Sequence, residues 1–100
     1  MILYNVTVKV ENEIADEWTE WMKAEHMPEL MSTDLFTDCK LFRLLEQDEL
    51  EGVTFAAQYF CNTLEDYNSY INKHSEVFRE KSFQKFGGRF IAFRTIMELV

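Results

Sequence analysis

One hundred residues, 47% of them apolar and 15% aromatic, suffice for one domain built around one two-layer core and leave no room for a second. Ten Lys and Arg against eighteen Asp and Glu give a net charge of -8, which repels phosphate backbones and anionic membrane surfaces, so nucleic acid is not an expected partner. The opening Met1-Ile2-Leu3-Tyr4-Asn5-Val6 has no basic segment ahead of a long apolar one, and no run approaches about 18 apolar residues; the expected location is the cytoplasm, with no membrane partner.

The first strand is written in the alternation of Ile2, Tyr4, Val6, Val8 and Val10 with Leu3, Asn5, Thr7 and Lys9. Asn12 is the expected cap of a helix whose first turn carries Glu13, Asp16 and Glu17, the charge sign that a helix N-terminus favours. Along this helix Ile14, Trp18, Met22 and His26 recur every four residues, flanked by Trp21 and Glu25. Pro28 biases Met27 away from helical angles and predicts an end or kink, with one further turn to Met31.

After the Ser32-Thr33-Asp34 loop, residues 38–45 and 53–61 read as two strands joined by the polar turn from Glu46 to Gly52. A hairpin centred near residue 50 places Cys39 opposite Cys61, and a reducing cytosol keeps such a pair as free thiols. The cysteines have no C-x-x-C spacing and no neighbouring His, so no metal site is expected. Thr63-Leu64-Glu65-Asp66 has the form of a capping box, and Leu64, Tyr67, Ile71, His74 and Phe78 continue from it as one long helix. Lys81 and Lys85 suit its negative pole, and Gly87-Gly88 ends it. Arg89 to Val100 forms the last strand.

The order β-α-β-β-α-β is the split βαβ arrangement of a ferredoxin-like α+β domain, with both helices on one face of a four-stranded antiparallel sheet. The other face carries Leu3, Phe42, Leu44, Ala56, Phe60, Ile91, Phe93 and Met97 among Asn5, Thr7, Thr54, Gln58 and Thr95, too apolar to stay wet. Two identical sheets packed face to face would bury it, which predicts a homodimer.

Over its whole length the chain resembles the dimeric α+β barrel superfamily, which includes antibiotic-biosynthesis monooxygenases and EthD-like proteins. Within it, the chain looks like a bacterial family of domains of unknown function. The residues that carry this are Tyr4-Asn5-Val6-Thr7-Val8, Trp18 and Trp21 with His26-Met27-Pro28-Glu29, Gln58-Tyr59-Phe60, and Phe86-Gly87-Gly88-Arg89-Phe90-Ile91-Ala92-Phe93-Arg94-Thr95. The resemblance implies a cleft between the helices and the concave sheet where flat small molecules bind, in many members without metal, and no cofactor is expected. Haem-degrading relatives place an Asn on the first strand, a Trp on the third and a His on the second helix. The nearest positions here are Asn5 and His74, but Phe55 and Tyr59 stand where the Trp is needed, and Asn5 falls on the face opposite the cleft.

In relatives whose first helix ends in His-x-Pro the imidazole points toward the cleft. That makes His26 the candidate catalytic residue, since a neutral imidazole takes or gives a proton near neutral pH. The candidate ligand-binding residues are Tyr4 and Tyr59, for their hydroxyls, Trp18, for a flat wall, His74, on the apolar stripe of the second helix, and Arg43 and Arg94. Each guanidinium projects from the helix-facing side of its strand, where it must pair, with Glu25 or Glu98, or hold an anion such as a ligand carboxylate. The favoured reading is a ligand binder or a cofactor-independent enzyme of isomerase or monooxygenase type. A non-catalytic dimeric module that recognises another protein is the alternative; a filled core would favour it, and a cavity on the order of a few hundred Å³ would favour the former.

Overall fold

In the computed structural model, which describes residues 1–100, the opening alternation is strand β1 (Ile2–Val10). It lies between β3 (Val53–Cys61) and β4 (Phe90–Glu98), while β2 (Asp38–Arg43) pairs only with β3. Every pairing is antiparallel and the order is β2-β3-β1-β4, so β3 is inserted between β1 and β2. Because residues opposite one another share a face, Tyr4 stands between Tyr59 and Ile96, and Val6 stands between Ala57 and Arg94. The helices cover this face alone, and the chain is a ferredoxin-like α+β domain. None of its helices is long and apolar enough to cross a membrane.

The first helical stretch does not end at Pro28. It runs from a 3-10 turn (Asn12–Ile14) through α1 (Ala15–Trp21), a π turn (Met22–His26) and α2 (Met27–Met31). A proline ring clashes with the carbonyl four residues earlier in an α-helix, here that of Ala24, and the wider π turn holding Ala24 removes the clash without stopping the helix. Asn12 is not the expected cap: its Nδ2 donates instead to the carbonyls of Glu49 and Leu50, at 2.9 and 3.3 Å, and ties the helix start to the β2–β3 loop.

The second stretch also departs from the single helix expected. Thr63 caps α3 (Leu64–Lys73), its Oγ1 accepting from the Asp66 amide at 3.1 Å. His74 then leaves helical angles, at φ -128°, before α4 (Ser75–Phe86) begins. Ser75 Oγ donates to the Ile71 carbonyl at 2.7 Å, a side chain competing for a backbone acceptor, which is a known way to bend a helix. Gly87, at φ +62°, ends α4 in a conformation that costs glycine least.

β2 stops at Arg43, two residues short of the expected end, where Glu46 takes a positive φ and the Arg43 guanidinium pairs with Glu49. The hairpin register is also displaced by two residues: Cys39 faces Tyr59, and Cys61, two positions further along β3, has no partner on β2 and lies opposite Ile2. Both thiols are free. The face away from the helices is as apolar as the sequence requires, with Phe42, Ile91 and Phe93 48%, 60% and 67% exposed.

Gly52 is the last residue of the β2–β3 loop before β3, and a Cβ there would meet the Val10 carbonyl oxygen at 2.7 Å, whereas one at Gly88 would meet nothing within 4 Å. Gly52→Ala is expected to lose about 1–3 kcal/mol of stability, because a backbone oxygen cannot swing aside, and Gly88→Ala to stay within about 0.5 kcal/mol of the parent in urea denaturation.

Candidate functional site

Between the sheet and the helices lies a cavity of about 60 Å³. Its floor is made of the small side chains Val6, Ala57 and Ala92 on the three inner strand positions, and its walls are rings: Tyr4 and Tyr59 from the sheet, Trp18 from α1 and Tyr70 from α3. Tyr4 holds this ring layer together, its centroid 5.4 Å from Tyr67, 5.6 Å from Tyr70 and 5.9 Å from Tyr59. Trp18 is fixed by Phe55 beneath it, centroid to centroid 5.1 Å. The space is smaller than the cleft expected, since these rings occupy much of it.

His26 closes the π turn and enters the cavity from above. Its ring stacks on Trp21 at 4.8 Å and meets the edge of Phe78 at 6.2 Å, so apolar faces fix the imidazole. Its Nδ1 is buried and has no hydrogen-bond partner. Burial pushes the pKa down from 6.5 to about 4; the Glu29 carboxylate opposes this, and the charges of Arg94 and Lys81 add to it. At neutral pH the imidazole is therefore uncharged.

Tyr59, 1% exposed, contributes the other unpartnered group, a buried hydroxyl without donor or acceptor around it. Burial holds its pKa well above the ordinary value, followed by the nearby Tyr70 phenol, so the hydroxyl keeps its proton. Tyr70 is shifted the same way for the same first cause. These two atoms, His26 Nδ1 and Tyr59 Oη, are the only buried side-chain polar atoms of the chain left without a partner, and both residues line this one cavity. No set of three or more His, Cys, Asp or Glu side chains is arranged to hold a metal ion.

Of the residues singled out from the sequence, His26, Tyr4, Trp18, Tyr59 and Arg94 come together here, and Arg43 and His74 do not. Arg43 shares the helix-facing side but sits on the β2 edge, three strand spacings or about 14 Å across the sheet from β4, and is paired with Glu49. Neither Glu25 nor Glu98 pairs with either arginine. His74 lies at the α3–α4 break, stacked with Tyr70 and Phe78 at 6.4 and 6.1 Å, behind the cavity wall. Asn5 is on the opposite sheet face, donating to Thr7 Oγ1 at 3.0 Å and accepting from Gln58 Nε2 at 3.4 Å.

Tyr70, Arg79 and Ser82 also line the cavity and were not anticipated. The signal was present in α4: Ser75, Arg79, Ser82 and Phe86 follow one another at i, i+4, i+7 and i+11, a helical stripe facing the sheet that is polar where a core stripe would be apolar.

The family described as "Domain of unknown function (DUF4286)" matches residues 1–100. The chain belongs to this family. Among solved structures it is similar to an EthD family protein from Bacillus halodurans, at 17% identity and TM-score 0.67 with all of both chains covered. It is also similar to a dimeric ferredoxin-like protein from an uncultured marine organism, at 10% identity and TM-score 0.70 with 99% of this chain and 94% of that one covered. A third is the hydroxynitrile lyase of Passiflora edulis, at 12% identity and TM-score 0.63 with 99% and 95% covered. A search of curated proteins found no match. At these identities the structural likeness is one of fold, and it agrees with the ferredoxin-like topology of this DUF4286 domain.

The buried imidazole makes stability depend on pH with a defined sign. Because the folded pKa of His26, about 4, lies below 6.5, the unfolded chain binds the extra proton between those values, so the full contribution is present above pH 6.5 and is lost as pH falls toward 4. The shift corresponds to about 3 kcal/mol. In urea denaturation across that window, His26→Phe is expected to flatten the pH dependence of the parent; an unchanged slope would show that the imidazole is not buried neutral.

Proposed function

We propose that this DUF4286 domain binds a small oxygen-bearing molecule in the cavity between sheet and helices. In this reading the Tyr59 hydroxyl donates to the ligand and neutral His26 accepts a proton or hydrogen bond from it. The observation that carries this is that the two residues bearing unpartnered buried polar atoms, His26 and Tyr59, line one cavity. Each such group costs about 1–3 kcal/mol when left unsatisfied, a burden that a packed core would shed by substitution and that a binding site retains. A phenol that stays protonated and an imidazole that stays neutral, both lining the cavity, supply a hydrogen-bond donor and an acceptor for a ligand oxygen; proton transfer of the isomerase or lyase kind would further require a ligand that brings the imidazole back toward neutral pH. The Passiflora edulis neighbour, by name a lyase, is an enzyme of the same fold. The cavity of about 60 Å³ falls below the roughly few hundred Å³ expected of a ligand cleft, which favours the alternative of a protein-recognising module; the two unpartnered buried groups on its lining residues favour the binding reading.

The test uses small neutral carbonyl compounds, acetone, butanone and acetamide, titrated against the protein while the Trp18 indole and His26 ring signals are followed by NMR. Shifts confined to these side chains are expected, weakened at least about tenfold in Tyr59→Phe. Removing an unsatisfied hydroxyl should also raise stability by about 1 kcal/mol in the same variant. Absence of shifts at millimolar probe, or a Tyr59→Phe protein that binds as well as the parent, would remove the reading.

The same proposal includes a homodimer joined through the outer sheet face. Supporting it are the exposed Phe42, Ile91, Phe93 and Met97 on that face and the dimeric state named for the marine ferredoxin-like neighbour. The parent is expected to sediment as a dimer at micromolar concentration. Phe93→Asp, which would desolvate a charge against the partner, should yield monomer or aggregate. A monomeric parent would overturn the dimer without touching the cavity.

A further inference from the structure

We propose that the ligand of this cavity carries a carboxylate, and that Arg79 and Arg94 hold it at the cavity mouth. The inference rests on the reading that the cavity takes a small molecule, and it adds the chemical class of that molecule.

The chain has four arginines among eighteen acidic residues, so pairing should be easy to achieve. Arg43 pairs with Glu49, and Arg89 with Glu11 and Glu13. Arg79 on α4 and Arg94 on β4 make no ion pair and no side-chain hydrogen bond, although both line the cavity. Both also line a second, shallower groove of about 690 Å³ between α4 and β4, which the cavity meets along Phe90, Ala92 and the two arginines. The pair therefore stands at the boundary between an open vestibule and the buried space.

Both arginines are solvent-exposed and line the same opening, where each guanidinium offers a carboxylate a planar donor fork that no protein acid occupies. The groove also holds Glu76 and Glu80, but these line only its outer part, so positive charge prevails at the inner end. Fold placement explains why Arg94 is free: it stands beside Val6 in the sheet row that forms the cavity floor, on an edge strand with no neighbour beyond it. The net charge of -8 disfavours indiscriminate capture of anions, which leaves local geometry to select them. A short organic acid fits this layout, its carboxylate between the arginines and its remaining atoms reaching toward Tyr59 and His26.

The experiment compares matched pairs, propionate with propionamide and benzoate with benzamide, by NMR titration on the intact protein. Each acid is expected to bind at least about tenfold more tightly than its amide, with shifts at Trp18 and His26. Arg79→Gln and Arg94→Gln should each lose at least about tenfold for the acids and leave the amides unchanged, while Arg89→Gln, outside the site, should change neither. Neither arginine has a protein partner to leave unsatisfied, so both variants should fold as the parent does, checked by urea denaturation. Equal binding of acids and amides, with no effect of the arginine variants, would overturn the clamp and leave the cavity reading standing. Acids that shift only groove residues such as Phe83 would also overturn it. Failure of acids and amides alike would overturn both readings.

Discussion

Everything at the site follows from a mismatch of size on the helix-facing side of the sheet. The inner strand positions Val6, Ala57 and Ala92 are small, while the residues around them are rings that cannot bend into the space left. Tyr4 touches three other tyrosines, and each ring is held by its neighbours at a separation that favours tilted contact over collapse. A Leu or Ile at position 57 would fill the gap and satisfy the core. With Ala there, Tyr59 and His26 both line the remaining space, and Tyr59 Oη and His26 Nδ1 are left without hydrogen-bond partners.

The π turn is the second element of the same arrangement. In an uninterrupted α-helix the Pro28 ring would collide with the Ala24 carbonyl, and relief by widening the helix changes the direction in which His26 leaves the backbone. Stacking on Trp21 then fixes the ring. Ion pairs between Lys81 and Glu29, at 2.7 Å, and between Lys85 and Glu17, at 3.8 Å, hold α4 against α2 and α1. They are exposed and individually weak; the side of α4 that turns toward the sheet is marked by its buried residues Ser75 and Phe86, and the position of Arg79 follows from theirs.

Topology was legible in the sequence because it rests on patterns that burial enforces directly: period two in β1, the capping box at Thr63, and apolar residues on both faces of β3 and β4. The faces of every strand were read in the right sense for the same reason, since a one-residue slip would turn Tyr4 and Tyr59 out of the core. What escaped depends on contacts distant in sequence or on competition within a turn. Asn12 has the residue type of a cap, but its amide finds the carbonyls of Glu49 and Leu50, 37 and 38 residues away. The break at His74 is a local contest between Ser75 and the backbone that helical periodicity passes over. Arg43 and Arg94 looked equivalent as cations on the helix side, and only the order β2-β3-β1-β4 puts them on opposite edges. Arg79 is an exposed residue of a charged helix, and only its alignment with Ser75, Ser82 and Phe86 relates it to the cavity it lines.

The electrostatics of the cavity connect the proposed anion clamp to His26. In the free protein Arg94 is among the charges that keep His26 unprotonated, after burial itself, with the Glu29 carboxylate opposing. An imidazole of pKa about 4 is a feeble base at neutral pH, since efficient proton transfer wants a pKa near the working value. A carboxylate seated on Arg94 cancels part of that repulsion and adds an attraction of its own, and both changes move His26 upward. Occupancy by an acid and basicity of the imidazole would thus be linked, and the link is reciprocal: protonation of His26 would raise the affinity of the site for the anion by the same factor. A neutral ligand of the same shape leaves His26 as it was. Under the proposed clamp, the group that identifies the ligand would also strengthen the base, which joins selection of the acid to activation of the imidazole.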